Sequence, residues 1–132
     1  MPAEGKNILL IYKTDITHRI VIATLRKIGF TKFIEVNGRS NALANLMAGG
    51  INLIVSDQSC EIDGIEILKS WEGNEKFQPI PFVIISKEGK ADVILAAGKA
   101  GVDEYILIPP CLSASEQKEF IQAVHKKLEK FL

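Results

Sequence analysis

The chain alternates, five times over, between a short apolar run and an amphipathic stretch, with glycine or proline punctuating the joins. Nearly continuous Ile, Leu and Val in the runs marks strands buried on both faces, which antiparallel sheets with one wet face do not need. The runs are 7–12, 32–36, 51–56, 80–86 and 105–108. Between and after them, stretches 15–28, 40–48, 63–72, 91–100 and a final one from Ser113 carry apolar residues at helical spacing. Thr14 or Asp15 can cap the first helix and Gly29 ends it; Ala42, Leu43, Leu46 and Met47 are expected inward on the second. Ser113 with Glu116 forms a capping box for the last. Strands that alternate with helices require right-handed crossovers, hence a parallel α/β sheet covered on both faces. Five strands and five helices predict a doubly wound sheet of order 2-1-3-4-5.

The length, 132 residues, suits one domain spanning 1–132, and 47% apolar with 24% charged residues suits a globule with an ordinary core. Sixteen basic residues balance sixteen acidic ones. A net charge of zero removes the whole-chain electrostatic case for nucleic acid or an anionic membrane. No apolar run reaches bilayer length, and Met1 to Lys6 lacks the apolar core of a signal peptide, so the expected location is the cytoplasm. Cys60 and Cys111, both placed on loops at one edge of the sheet, are read as reduced thiols rather than a redox pair. His18 and His125 lack zinc-type spacing.

In such a sheet, ligands and chemistry sit outside the carboxyl ends of the strands, where the strand order reverses. The residues there are Tyr12, Lys13 and Thr14 after the first strand, Asp57 after the third, Ser86 and Lys87 after the fourth, and Ile108 and Pro109 after the fifth.

The strings Asn7-Ile-Leu-Leu-Ile11, Leu25-Arg-Lys-Ile-Gly-Phe30, Ala48-Gly-Gly-Ile-Asn-Leu-Ile-Val-Ser-Asp57, Asp63-Gly-Ile-Glu-Ile-Leu-Lys69 and Ala97-Gly-Lys-Ala-Gly-Val-Asp-Glu-Tyr105 occur in order and cover nearly the whole chain. On them the sequence resembles a response-regulator receiver domain with the CheY-like, flavodoxin-like fold, and more narrowly the single-domain chemotaxis type. The resemblance implies phosphoryl transfer from a kinase histidine to Asp57, helped by magnesium held with an acidic pair after the first strand. It implies that Ser86 grips the phosphoryl group, that a lysine before Pro109 pairs with it, and that Tyr105 changes exposure as the switch moves. The partner surface it implies is the fourth helix, fifth strand and fifth helix, around Lys90, Lys99, Glu104, Tyr105 and Lys118.

The sequence departs from that pattern at the pocket. Tyr12 and Lys13 replace the acidic pair, Ile108 replaces the lysine, and the loop Gln58-Ser-Cys-Glu-Ile62 is one residue short and lacks its proline. Magnesium takes an octahedron of oxygens. A lysine ~4 Å from such an ion meets repulsion of about 4 kcal/mol per unit charge at an effective dielectric of about 20. The expectation is therefore no magnesium and no other cofactor, with Lys13 paired to Asp57, filling the pocket and lowering the aspartate's pKa. The functional reading is a receiver domain of two-component signalling, not an enzyme. It acts by protein–protein contact with a histidine kinase or an output protein, and phosphorylation is weak or absent. Oligomeric state is left open. One alternative keeps Asp57 as a working phospho-acceptor, with Lys13 and Lys87 supplying charge. Another reads Thr14, Asp15 and Thr17 at a helix N-terminus as an anion- or nucleotide-sensing site. A hydrolase built on Asp57, Ser86 and His18 lacks an oriented base.

Overall fold

The structure, a computed structural model, describes residues 5–77, 79–110 and 113–132. The readings placed on Met1 to Glu4 and on Cys111 lie outside the described residues. Strands β1 (Asn7–Ile11), β2 (Lys32–Val36), β3 (Leu53–Ser56), β4 (Phe82–Ser86) and β5 (Glu104–Leu107) alternate with helices α1 (Ile16–Ile28), α2 (Arg39–Ala48), α3 (Gly64–Ser70), α4 (Ala91–Ala100) and α5 (Ala114–Leu128). The strands form one parallel sheet in the order β2-β1-β3-β4-β5, as the alternation required. A single 3-10 turn, Glu129–Phe131, follows α5.

Because successive strand side chains point to opposite faces, the core splits in two. Ile8, Leu10, Leu53, Val55, Val83, Ile85 and Ile106 pack beneath α1 and α5 with Leu25, Phe120 and Val124. Leu9, Ile11, Ile54, Phe82 and Ile84 pack on the other face with Ala42, Leu46, Ile65 and Trp71. Full burial of one such Leu or Ile side chain is worth about 2 kcal/mol. Asp15 caps α1 by accepting from the His18 N–H at 3.0 Å, and Gly29 closes it at φ 120°, a conformation that favours glycine. Ser113 Oγ caps α5 by accepting from the Glu116 N–H at 3.3 Å and donates to the Glu116 carboxylate at 2.8 Å.

Some boundaries move. β3 starts at Leu53 rather than Ile51, because the Asn7 and Asn52 side chains take over the bonds at that end: Asn52 Oδ1 accepts from the Asn7 N–H and Asn7 Nδ2 donates to Gly50. β4 starts at Phe82 rather than Ile80, since Pro79 and Pro81 have no N–H to give and Ile80 turns back onto Phe77. α3 is shorter than 63–72, running only between its cap Asp63 and Trp71. On α2, Leu43 and Met47 are exposed rather than inward, because the helix seats only its Ala42–Leu46 ridge. No helix among the described residues is long and apolar enough to cross a membrane.

Candidate functional site

Asp57 leaves β3 at the carboxyl edge of the sheet and is 6% exposed. Its N–H donates to Ile11 at 3.0 Å, which ties it to β1. Its carboxylate accepts from the Gln58 N–H at 2.8 Å. Burial pushes its pKa above the ordinary carboxylate value; the Gln58 amide and the Ser86 and Ser59 hydroxyls oppose that, and the Asp15 carboxylate adds to it. Gly64 makes this seat possible, since a Cβ there would lie 2.6 Å from the Asp57 carbonyl and 2.7 Å from Ser56 Oγ.

The short loop after Asp57 is strapped down by its own polar side chains. Gln58 Nε2 donates to Asp63 at 3.0 Å and Gln58 Oε1 accepts from the Ile65 N–H at 2.9 Å, so this side chain joins Asp63 in capping α3. Ser59 Oγ accepts from the Glu61 and Ile62 amides. Ser86 Oγ donates to the Gln58 carbonyl at 2.7 Å and accepts from the Glu88 N–H at 3.0 Å. The hydroxyl expected to grip a phosphoryl group thus holds two loops together. Tyr105, half-buried, donates to the Glu88 carbonyl at 2.5 Å. Its pKa is pushed up to about 12, chiefly by burial.

A cavity of about 400 Å³ opens over Asp57, lined by Lys13, Asp15, Ser86, Lys87 and Glu88 among others. Lys13 does not fill it. The ammonium lies 3.5 Å from Glu61, with both side chains about half or more exposed. Staying in water spares the lysine the desolvation that approach to a buried carboxylate requires. The expected lowering of the Asp57 pKa is reversed for the same reason: burial acts on it without a paired cation.

Three more pocket expectations are corrected. Tyr12 is 3% exposed and belongs to the α1–α5 side of the core, where its hydroxyl donates to Ile85 at 2.7 Å. Burial raises its pKa well above the ordinary tyrosine value. Ile108 is 1% exposed in the same core, and neither it nor Pro109 lines the cavity. Strand parity carried this signal, since 8, 10 and 12 share one face, as do 106 and 108. Gln58 and Glu88 were missed as pocket residues, whereas Asp15 and Thr17, read in the sequence as members of the alternative anion site, do line the cavity.

Asp15, Asp57, Glu61 and Glu88 are the carboxylates that line the cavity. Among the described residues, no three His, Cys, Asp or Glu side chains converge as metal ligands. Tyr12 is turned into the core and Lys13 adds positive charge nearby. Of the predicted partner surface, Lys90, Lys99 and Lys118 are exposed, and Glu104 meets Lys130 at 3.8 Å. Leu95 (62% exposed) on α4 and Leu107 (46%) on β5 add apolar area that the sequence reading had not counted.

No protein-family model matches the chain. Chemotaxis protein CheY-3 of Vibrio cholerae is 30% identical over 126 residues, covering 95% of this chain and 95% of that protein. Chemotaxis protein CheY of Pseudomonas aeruginosa is 29% identical over 122 residues, covering 92% and 97%. Among solved structures, the Mn(2+)-bound form of response regulator Rcp1 matches with a TM-score of 0.73 at 24% identity over 96% of this chain and 93% of that one. Chemotaxis response regulator CheY4 of Vibrio cholerae gives 0.71 at 15% identity over 95% and 100%. These two likenesses show the fold. Sustained at 30% over almost the full length of both chains, the identity to CheY-3 makes this chain a member of the CheY-like family of response-regulator receiver domains of two-component signalling.

Proposed function

We propose that this receiver domain signals by protein contact alone, with Asp57 a poor phospho-acceptor, no magnesium bound and no catalysis of its own. The single observation that carries the reading is the Ser86–Gln58 hydrogen bond of 2.7 Å. Phosphoryl transfer relies on prepositioned charge and donors around the transferring group. Here the hydroxyl at the gripping position is already shared with the Gln58 carbonyl and the Glu88 amide, Ile108 is buried where the family has a lysine, and Tyr12 and Lys13 stand where the family has its acidic pair. Tyr105 bonded to Glu88 fixes β5 against the loop before α4, so one conformer of the α4–β5–α5 face is presented without phosphate. The partner is a histidine kinase or an output protein, met by Lys90, Lys99, Glu104, Tyr105 and Lys118.

A second reading, phospho-acceptance at Asp57 with Lys13 and Lys87 supplying charge, is favoured by the cavity of about 400 Å³ left open over the carboxylate. Incubation with acetyl phosphate and magnesium, followed by intact mass, separates the two. The expected result is an unchanged mass. A stoichiometric gain that disappears in Asp57→Ala establishes the second reading instead.

A further inference from the structure

We propose that a separate cavity, at the amino ends of β3 and β4 and between the carboxyl ends of α3 and α4, binds a small free alkylammonium compound. It lies at the opposite edge of the sheet from Asp57, has a volume of about 280 Å³, and shares no lining residue with the Asp57 cavity. It therefore stands or falls independently of the signalling reading.

Three features of this cavity favour a cation. First, Trp71, Phe77 and Phe82 meet edge to face in its wall, with centroids 5.8 and 6.0 Å from Trp71 and planes inclined at 70° and 68°. Clustered aromatic rings attract alkylammonium groups through their electron-rich faces and accept the methyl groups as apolar surface. Second, two exposed carboxylates, Glu72 and Asp103, line the same cavity, and no lysine or arginine does so among the described residues. Asp103 is held in place by accepting from the Phe82 N–H at 2.8 Å. Third, Trp71 and Gly101, the carboxyl caps of α3 and α4, both line it. Helix carboxyl ends carry partial negative charge. Rings, carboxylates and helix ends thus favour the same sign, in a space small enough for an amine with short substituents and too small for a nucleotide-sized ligand.

Trp71 is the chain's only tryptophan. It is 6% exposed and its indole N–H has no hydrogen-bond acceptor among the described residues. Its ring is held by packing alone, and its indole resonance reports uniquely on the site. The test titrates the full chain with choline chloride, and in parallel with dimethylbutanol, its uncharged carbon isostere, at constant ionic strength. NMR follows the Trp71 indole and the backbone amides. The expected result is a saturable shift at Trp71, Gly101 and Asp103, with choline binding about tenfold more tightly than the isostere. Glu72→Gln, a change at an exposed residue, is expected to weaken choline severalfold and leave the isostere unaffected. Equal affinity for the two compounds, shifts centred elsewhere on the fold, or no saturable shift at all would overturn the proposal.

Discussion

The Ser86 hydroxyl donates to the Gln58 carbonyl at 2.7 Å and so joins the end of β4 to the loop after β3. The same oxygen accepts from the Glu88 amide at 3.0 Å. One side chain therefore satisfies a partly buried acceptor and a partly buried donor on separate segments. Ser86→Ala removes both bonds at once and is expected to cost about 1–3 kcal/mol. The check is the urea midpoint at unchanged slope; a loss below a few tenths would mean that the two loops hold without it.

Asp57 offers a pH signature. Its folded pKa lies above the ordinary value of 3.8, burial being the main cause. The folded chain thus holds this proton more tightly than the unfolded one. The associated stability is whole below about pH 3.8 and is lost as pH rises through the raised folded value. Asp57→Asn is expected to abolish that decline and to stabilise the domain near neutral pH. Denaturation curves of the two proteins across the acidic range should converge at the low end; curves parallel throughout would contradict the assignment.

Gly64 tests the close approach under Asp57. A methyl group there meets backbone and a buried hydroxyl at 2.6 and 2.7 Å, and neither is the end of a flexible side chain. Gly64→Ala is expected to destabilise by about 1–3 kcal/mol. Gly98→Ala, in α4 with nothing within 4 Å of the added carbon, should instead stabilise by up to about 1 kcal/mol. Thermal melts of the pair give opposite signs, and a tolerant Gly64 would show that the loop can yield.

The two tyrosines make an alkaline prediction. Burial raises both pKa values, that of Tyr105 to about 12 and that of Tyr12 well above 10. The folded state keeps its phenolic protons where the unfolded chain loses them. Stability from these groups is therefore present below pH 10 and falls as pH rises toward about 12. Tyrosinate absorbance should stay flat through pH 10 and rise only at higher pH, together with unfolding. A half-amplitude step near 10 would place one hydroxyl in water.

The fold was legible because buried parallel strands carry their signal in composition. β2 and α4 fall at Lys32–Val36 and Ala91–Ala100 as read, and the strand order follows from the alternation. Asp57 and Ser86 were placed at the correct edge by strand ends alone. The direction of Lys13 was not legible, since it depends on the balance between solvation of an ammonium and attraction to a carboxylate already withdrawn from water. The Gln58 staple was also hidden, because a glutamine that caps the helix it precedes by several residues leaves no local pattern. Tyr12 and Ile108 were readable in principle; treating them as replacements in a pocket hid the strand parity that sends them to the core.

Tyr12 has a consequence for how this domain can change. Its hydroxyl reaches over β3 to the Ile85 carbonyl on β4, so the residue has become a brace between strands that are not neighbours. Tyr12→Asp would break the brace, hollow out the packing beneath α1 and α5, and leave a carboxylate among aliphatic neighbours. A carboxylate can therefore be introduced at position 12 only together with changes that rebuild the core around it.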